Sequence, residues 1–296
     1  MQGQAKAALA VAAGAFLIGL APIGMRLSEL GPQATGFWRF VFALPLLGLL
    51  FAMKPAAPVK RLPILLIAGF CFGLDIAFWH AALGMTTVAN ATLATNMTPI
   101  IAAIAGWFLF KERVTRAWII GAAIAFTGAV ALSYARAQSA DPALAGERGL
   151  LGDLFGLVSC VWYASYLIIV RMERPHTSTR VVMLATTFGA ALLALGAAIT
   201  MGEALVPQTL RGWAVLAGLG IVVHVAGQGL IAYGVGRLPI ALSTVLLWVQ
   251  PIAAAAFSWM LFGEALSPLA FAGAALVLAG VWLVQRGGSK SVVSSQ

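Results

Sequence analysis

The chain has 296 residues, 61% of them hydrophobic and 9% charged, whereas soluble domains run about 45–50% apolar and about 25% charged; a water-soluble fold is excluded. The net charge of +9 does not point to nucleic acid, because the Lys and Arg punctuate apolar runs and do not gather in one stretch. A helix needs roughly 20 apolar residues to cross a bilayer, so the length admits about ten crossings and no separate soluble domain.

Apolar runs broken by charge, Pro and Gly predict helices over 5–25, 33–53, 63–83, 87–109, 117–134, 151–170, 179–200, 212–233, 240–262 and 269–286. The first follows the start too closely to escape comparison with a secretory leader, but it is too long for a leader core and lacks a convincing small-x-small cleavage site. Segment 2 carries Arg39 and segment 3 carries Asp75, the one carboxylate well inside a crossing. Their depths agree to within a few ångströms at about 1.5 Å per residue, which predicts a buried Arg39–Asp75 pair, structural or gating. Trp79 and His80 lie one turn beyond Asp75. On segment 4, Thr92, Thr95, Asn96 and Pro99 fall on one face; such a face serves either helix contacts or a solute path.

Segment 6 brings Trp162, Tyr163 and Tyr166, with Trp162 and Tyr166 one turn apart on the face of Ser159. Trp38, Trp107, Trp118, Trp213 and Trp259 lie near segment ends and read as interfacial anchors. Segment 8 adds His224 and Gln228, which are candidates to meet solute or protons; a lone membrane His more often packs through a hydrogen bond. Segment 9 adds Thr244, Trp248, Gln250 and Pro251. Cys71 and Cys160 stand singly in apolar segments and read as packing residues, with no disulfide or zinc site implied.

Cytoplasmic loops collect Lys and Arg. Placing both termini in the cytoplasm gives thirteen basic residues inside and four outside, Arg39 being left within segment 2. Residues 97–132 also align without gaps to 249–284 at a constant offset of 152, pairing Pro99 with Pro251, Trp107 with Trp259, Phe110 with Phe262, Glu112 with Glu264, Gly121 with Gly273 and Gly128 with Gly280. Segments 4–5 therefore repeat as 9–10. Each half holds five crossings, an odd number, so the second half must be inverted. Lys111, Arg113 and Arg116 of the first hairpin become Gly263, Ala265 and Pro268 in the second, as a change of side requires. The predicted organisation is a first repeat over 1–134, an external linker over 135–150 and an inverted repeat over 151–296.

This doubled pattern of mid-helix Pro, an aromatic, a hairpin Glu and a Gly-rich following helix resembles the EamA domain of the drug/metabolite transporter superfamily, present twice. Trp38-Arg39-Phe40 at the start of segment 2 and Ala82-Leu83 at the end of segment 3 fit the same family, so the likeness covers nearly the whole chain. The resemblance implies an all-α, ten-helix membrane protein that moves amino acids, drugs or nucleotide sugars, and within it the chain looks most like amino-acid exporters of the YddG type. The expected activity is export of amino acids or related metabolites across a bacterial inner membrane by alternating access. No cofactor or metal is expected, the partners are a small-molecule solute and the lipid bilayer, and a single copy is compatible with the pattern. Expected solute contacts are Trp79, His80, Thr92, Thr95, Asn96, Trp162, Tyr163, Tyr166, His224, Gln228, Thr244, Trp248 and Gln250. Arg39, Asp75, Pro99 and Pro251 are the expected gating or kink positions. A membrane-embedded enzyme is the competing class, but no nucleophile with its base and no metal-spaced cluster stands out.

Overall fold

The computed structural model describes residues 2–53, 61–83, 85, 97–112, 115–137, 149–263 and 266–291, and every regular element among them is helical. The crossings are α1 (Gly3–Leu27), α2 (Pro32–Ala52), α3 (Leu62–Leu83), α4 (Thr98–Phe110), α5 (Arg116–Ala137), α6 (Gly149–Glu173), α7 (Thr179–Thr200), α8 (Leu210–Val235), α9 (Ile240–Phe262) and α10 (Pro268–Ser291). Nine are long and apolar enough to span a bilayer, and α4 is a shorter apolar tenth of thirteen described residues. Large side chains such as Ile104, Phe108, Leu261 and Phe271 face outward, where acyl chains take the place of a core. Several helices outrun the predicted segments: α5 continues to Ala137, α6 already begins at Gly149, and α10 reaches Ser291.

Three crossings are irregular. The α-helical course of α1 is interrupted at Gly19 and Leu20, just before Pro22. In α9 the break falls at Leu247 and Trp248, where Gln250 N bonds Leu247 O at 2.9 Å in a three-residue turn; Pro251 has no N–H with which to continue the regular ladder. In α8 the stretch Leu219–Gln228 is wound as a π-helix, a geometry concentrated at functional sites because its extra residue per turn re-aims side chains.

Helix ends are closed by carboxylates from distant loops. Glu203 accepts from Gln33 N at 3.2 Å and Ala34 N at 2.7 Å, in the first turn of α2. Glu29 accepts from Gln208 N at 2.8 Å and Thr209 N at 3.1 Å, ahead of α8, and also from the Thr209 hydroxyl. Glu112 accepts from Ile240 N, at 3.0 and 3.1 Å to its two oxygens, at the start of α9. Each places negative charge at the positive end of a helix where free N–H groups await acceptors. Glu29 lies outside the membrane, and its bonds to Thr209 hold its carboxyl below the usual glutamate range. Gly31 and Gly212 leave room for these side chains, since a methyl group at either position would fall within 2.4–2.7 Å of Glu203 or Glu29.

The inverted arrangement is visible atom by atom where α5 meets α10. A methyl group on Gly121 would sit 2.7 Å from the Gly280 carbonyl oxygen, and one on Gly128 would sit 2.5 Å from that of Gly273. Exchanging each glycine for its repeat mate, 121 for 273 and 128 for 280, returns the same two contacts. That is the signature of a two-fold relation between antiparallel helices. The other packings obey the exchange as well: α3 on α6 matches α8 on α1, α3 on α7 matches α8 on α2, and α4 on α6 matches α9 on α1. Lys111 (φ 55°) and Gly263 (φ 67°), again repeat mates, close α4 and α9 in the same left-handed conformation.

The two hairpins consequently lie at opposite ends. Glu112 sits at the beginning of α9, whereas Phe262 at its far end lies under the Arg26 guanidinium, 4.1 Å from the ring centroid. The fold is therefore an all-α membrane protein of ten helices in two inverted five-helix repeats.

Candidate solute site between the halves

α2, α3, α6, α7 and α8 converge on a polar and aromatic cluster at the centre of the bundle. Phe72 of α3 stacks on Tyr166 (centroids 4.8 Å apart) and on the His224 ring (5.7 Å), and Phe40 of α2 meets His224 edge-on at 5.0 Å. Tyr163 stacks on Tyr166 at 6.0 Å. Gln228 donates to the Tyr166 hydroxyl at 3.3 Å, and His224 Nε2 shares a 2.7 Å hydrogen bond with the Thr187 hydroxyl. The π-helical winding of α8 carries both His224 and Gln228, four residues apart, into this cluster.

Arg39 lies in the same neighbourhood, interacting electrostatically with Tyr163, Asp75 and Tyr166. It is 9% exposed, and its Nε has no hydrogen-bond partner among the described residues. Asp75 does not form a close ion pair with it: among the described residues the ion pair within 4 Å joins Arg61 to Glu173, and Asp75 instead accepts from Ser159 Oγ at 2.6 Å. The expected Arg39–Asp75 bridge is thus replaced by a hydroxyl-bound carboxylate with the arginine further off. Helix depth alone could not separate these cases, because it fixes height and leaves azimuth free.

Towards the end that holds Glu29 and Glu203, Arg39 also lines a cavity of about 10 Å³ with Thr35, Ile76, Trp79 and His80. His80 is 4% exposed and its Nδ1, like that of His224, is buried without a hydrogen-bond partner among the described residues. Gln33, close by, is anchored through Nε2 to Ala77 O at 3.3 Å.

Among the candidates read from the sequence, Arg39, Asp75, Trp79, His80, Tyr163, Tyr166, His224 and Gln228 are thus gathered between α2, α3, α6 and α8. Trp162, on the same helix as the tyrosines, is half-buried and packs against the hydrophobic core. Thr244 and Trp248 go elsewhere. The Thr244 hydroxyl donates to Ile240 O (3.0 Å) of its own helix, and Trp248 packs near Phe126 of α5, with ring centroids 6.2 Å apart. Gln250 and Pro251 follow directly after the α9 break, and Pro99 occupies the first turn of α4. Thr92, Thr95 and Asn96 lie outside the described residues.

Sequence reasoning missed Thr187 and the two rings, Phe40 and Phe72, that sandwich His224. One more Thr in an apolar helix carries no signal until its partner is known. Of the five Trp read as interfacial anchors, Trp107 and Trp259 are more than half exposed, as lipid contact demands. Trp118 donates to Ala241 O at 3.2 Å, and Trp38 donates to Leu205 O at 2.5 Å while meeting Trp213 edge-on, with centroids 4.7 Å apart. These three tie helices to neighbouring segments.

Two inverted bundles enclosing a buried polar cluster are an arrangement found in membrane transporters. The chain belongs to the EamA-like transporter family, whose pattern matches residues 5–134 and again 150–286. It is 25% identical over 83% of its length to "Uncharacterized transporter YetK" of Bacillus subtilis, covering 76% of that protein. It is 27% identical over 67% of its length to a "Probable terminal-alkyne amino-acid exporter" of Streptantibioticus cattleyicolor, covering 64% of it. With the "Pseudopaline exporter CntI" of Pseudomonas aeruginosa it shares 22% identity over 82% of each chain. A crystal structure covering 97% of this chain and 98% of its own superposes with a TM-score of 0.84 at 20% identity, a likeness of fold. The protein is a multi-pass membrane transporter.

Proposed function

We propose that this transporter exports amino acids or closely related metabolites by alternating access, its halves (1–134 and 151–296, joined by the linker 135–150) rocking about the central cluster. The observation that carries this reading is Arg39. A permanent positive charge deep in a membrane protein is costly unless water or an opposite charge meets it, and this one keeps an unpartnered Nε, with no carboxylate within 4 Å among the described residues. The planar fork of a guanidinium suits a carboxylate, and Trp79, Phe72, Tyr163 and Tyr166 offer apolar surface for a side chain. Trp162, Thr92, Thr95, Asn96, Gln250 and the Pro99/Pro251 pair belong to the same proposed path, and Thr244 and Trp248 to its helical support. The export activity named for two of the relatives supports the direction and the solute class.

The proposed setting is a bacterial inner membrane with both termini in the cytoplasm. The thirteen-to-four partition of Lys and Arg supports it, as does the meeting, among the described residues, of the predicted inner turns 174–180 and 236–239 with the end of α2 around one cavity, while the predicted outer loops at 28–31 and 201–209 bond one another's helix starts. Counterflow of labelled neutral, aromatic and charged amino acids in proteoliposomes, with and without a pH gradient, tests the substrate class. Saturable exchange of neutral or aromatic amino acids is expected, and no exchange of any amino acid overturns it. Impermeant thiol labelling of Lys111→Cys in intact cells tests the orientation; reaction from outside the cell reverses it.

A further inference from the structure

A second cavity lies away from the central cluster, at the end of the bundle where α2 finishes, the α6–α7 turn passes and α8 gives way to α9. Its volume is about 900 Å³, and Leu50, Arg174, His176, Arg180, Tyr233 and Arg237 are among its walls. No Asp or Glu lines it among the described residues. The nearest carboxylate in sequence, Glu173, is buried and bridged by Arg61 at 3.2 Å.

Among the described residues, the three arginines are held by backbone carbonyls and not by counter-ions. Arg174 Nε donates to Ala232 O at 3.3 Å and its Nη1 to Thr177 O; Arg180 Nη1 donates to Leu50 O at 2.7 Å; Arg237 Nη1 donates to Tyr233 O at 2.9 Å while its guanidinium stacks 3.7 Å over the Tyr233 ring. Carbonyl bonds fix the position of a guanidinium but leave its charge unmatched. Burial and the nearby Arg237 push the Arg174 guanidinium down to about 10, so like charges are pressed together here. Arg180 is also misplaced by ordinary helix electrostatics: it stands in the first turn of α7, whose N-cap is Ser178, where the helix end is itself positive. Three cations line one cavity beside a positive helix end, with no carboxylate among the described lining residues, and form a field that an anion would satisfy.

We propose that this cavity binds a phosphoryl group, presented either as the headgroup of an anionic phospholipid or as a soluble phosphate ester. Arginine forks pair with phosphate oxygens bidentately, and Arg180 reaches the cavity from the first turn of α7 while Arg237 reaches it from the turn that follows α8. Leu50, together with the 69% exposed Met53, extends the cavity into apolar surface, where an acyl chain would continue from a bound headgroup. Basic pockets between transmembrane helices are suited to such headgroups.

Native mass spectrometry of the full-length protein in mild detergent, titrated with phosphatidylglycerol, cardiolipin or phosphatidylcholine, tests the lipid source. Equilibrium dialysis with inorganic phosphate and glycerol phosphate tests the soluble one. Preferential retention of anionic lipid is expected, weakened about fivefold for each of Arg180→Gln and Arg237→Gln and unchanged by Arg286→Gln, which lies outside the cavity lining. Binding of phosphate or glycerol phosphate with the same arginine dependence, and no lipid preference, upholds the site with the soluble ligand. Equal retention of anionic and zwitterionic lipid by the unaltered protein, together with no phosphate binding, overturns it, and that comparison needs no variant to fold. Equal anionic-lipid binding by the unaltered protein and a folded double variant overturns it too. Neither outcome bears on amino-acid exchange at the central cluster.

Discussion

The α5–α10 seam and the central cluster are built from opposite materials. At the seam the repeat is obeyed residue for residue: glycine meets the carbonyl of its partner's glycine, and the exchange of halves changes nothing. In the cluster the symmetry mates α3 and α8 diverge. α3 is a regular helix presenting Phe72, Asp75 and His80, and α8 is π-wound and presents His224 and Gln228. The difference teaches that the duplicated framework supplies close-packed alignment, while the proposed solute site falls where the two halves have drifted apart. Small residues hold membrane helices together through close backbone approach; buried polar groups there are costly and signal a task.

The largest effect is expected from breaking the seam. Gly128→Leu or Gly280→Leu drives a side chain into the facing backbone, where even a methyl carbon would stand 2.5 or 2.4 Å from a carbonyl oxygen. A loss of roughly 3 kcal/mol or more, seen as loss of monodisperse protein in detergent, is expected. Gly48→Ala and Gly196→Ala, which meet nothing within 4 Å, provide the contrast: unchanged melting is expected, and equal damage at these sites would remove the seam's special status.

Next comes the cluster. Arg39→Gln is expected to leave folding intact and cut exchange about 10- to 100-fold, the magnitude of a lost hydrogen bond to a charged group. Arg39→Lys should recover little, because a point charge lacks the fork. A transport rate unchanged in Arg39→Gln would detach the arginine from the solute path.

Smaller effects test the loops that join the two regions. Glu203→Ala deprives α2 of its N-terminal acceptor and should lower stability by about 1 kcal/mol, read as a fall in melting temperature. Glu29 adds a pH dependence. Its pKa is depressed in the folded protein, so its contribution is complete above the unfolded value near 4.5 and is lost as pH falls through the lower folded value. The melting-temperature gap between the unaltered protein and Glu29→Gln should therefore close on acidification below about 4.5; a gap that widens contradicts the cap. The smallest change is a gain: Lys111→Gly relieves a left-handed residue whose mate is already Gly263 and should stabilise by up to about 1 kcal/mol.

Much of the framework was legible in the sequence because its cause is a repeat. Pro, Trp, Glu and Gly aligned at one offset gave the inverted plan, and Gly121, Gly128, Gly273 and Gly280 turned out to be the contact points. The cluster was legible only in part. Asp75, His80 and His224 stand out because ionisable groups are rare in lipid, and Tyr163 and Tyr166 because they sit mid-helix. The Ser159–Asp75 bond, the Thr187–His224 bond and the retreat of Thr244 onto its own helix depend on azimuth, which apolar patterns do not encode. The π-helical stretch of α8 escaped for the same reason, since its apolar composition reads alike under either winding.

Glu29 and Glu203 exchange places in an instructive way. The loop of the first half supplies the acceptor that begins α8 of the second, and the loop of the second supplies the acceptor that begins α2 of the first. Thr209 also caps α8 from within, its hydroxyl accepting from Gly212 N at 3.0 Å, yet parting the halves at that face strips both carboxylates of their partners in one event. In the proposed rocking motion, the two carboxylate contacts at this face would be lost together, like a buckle with two tongues.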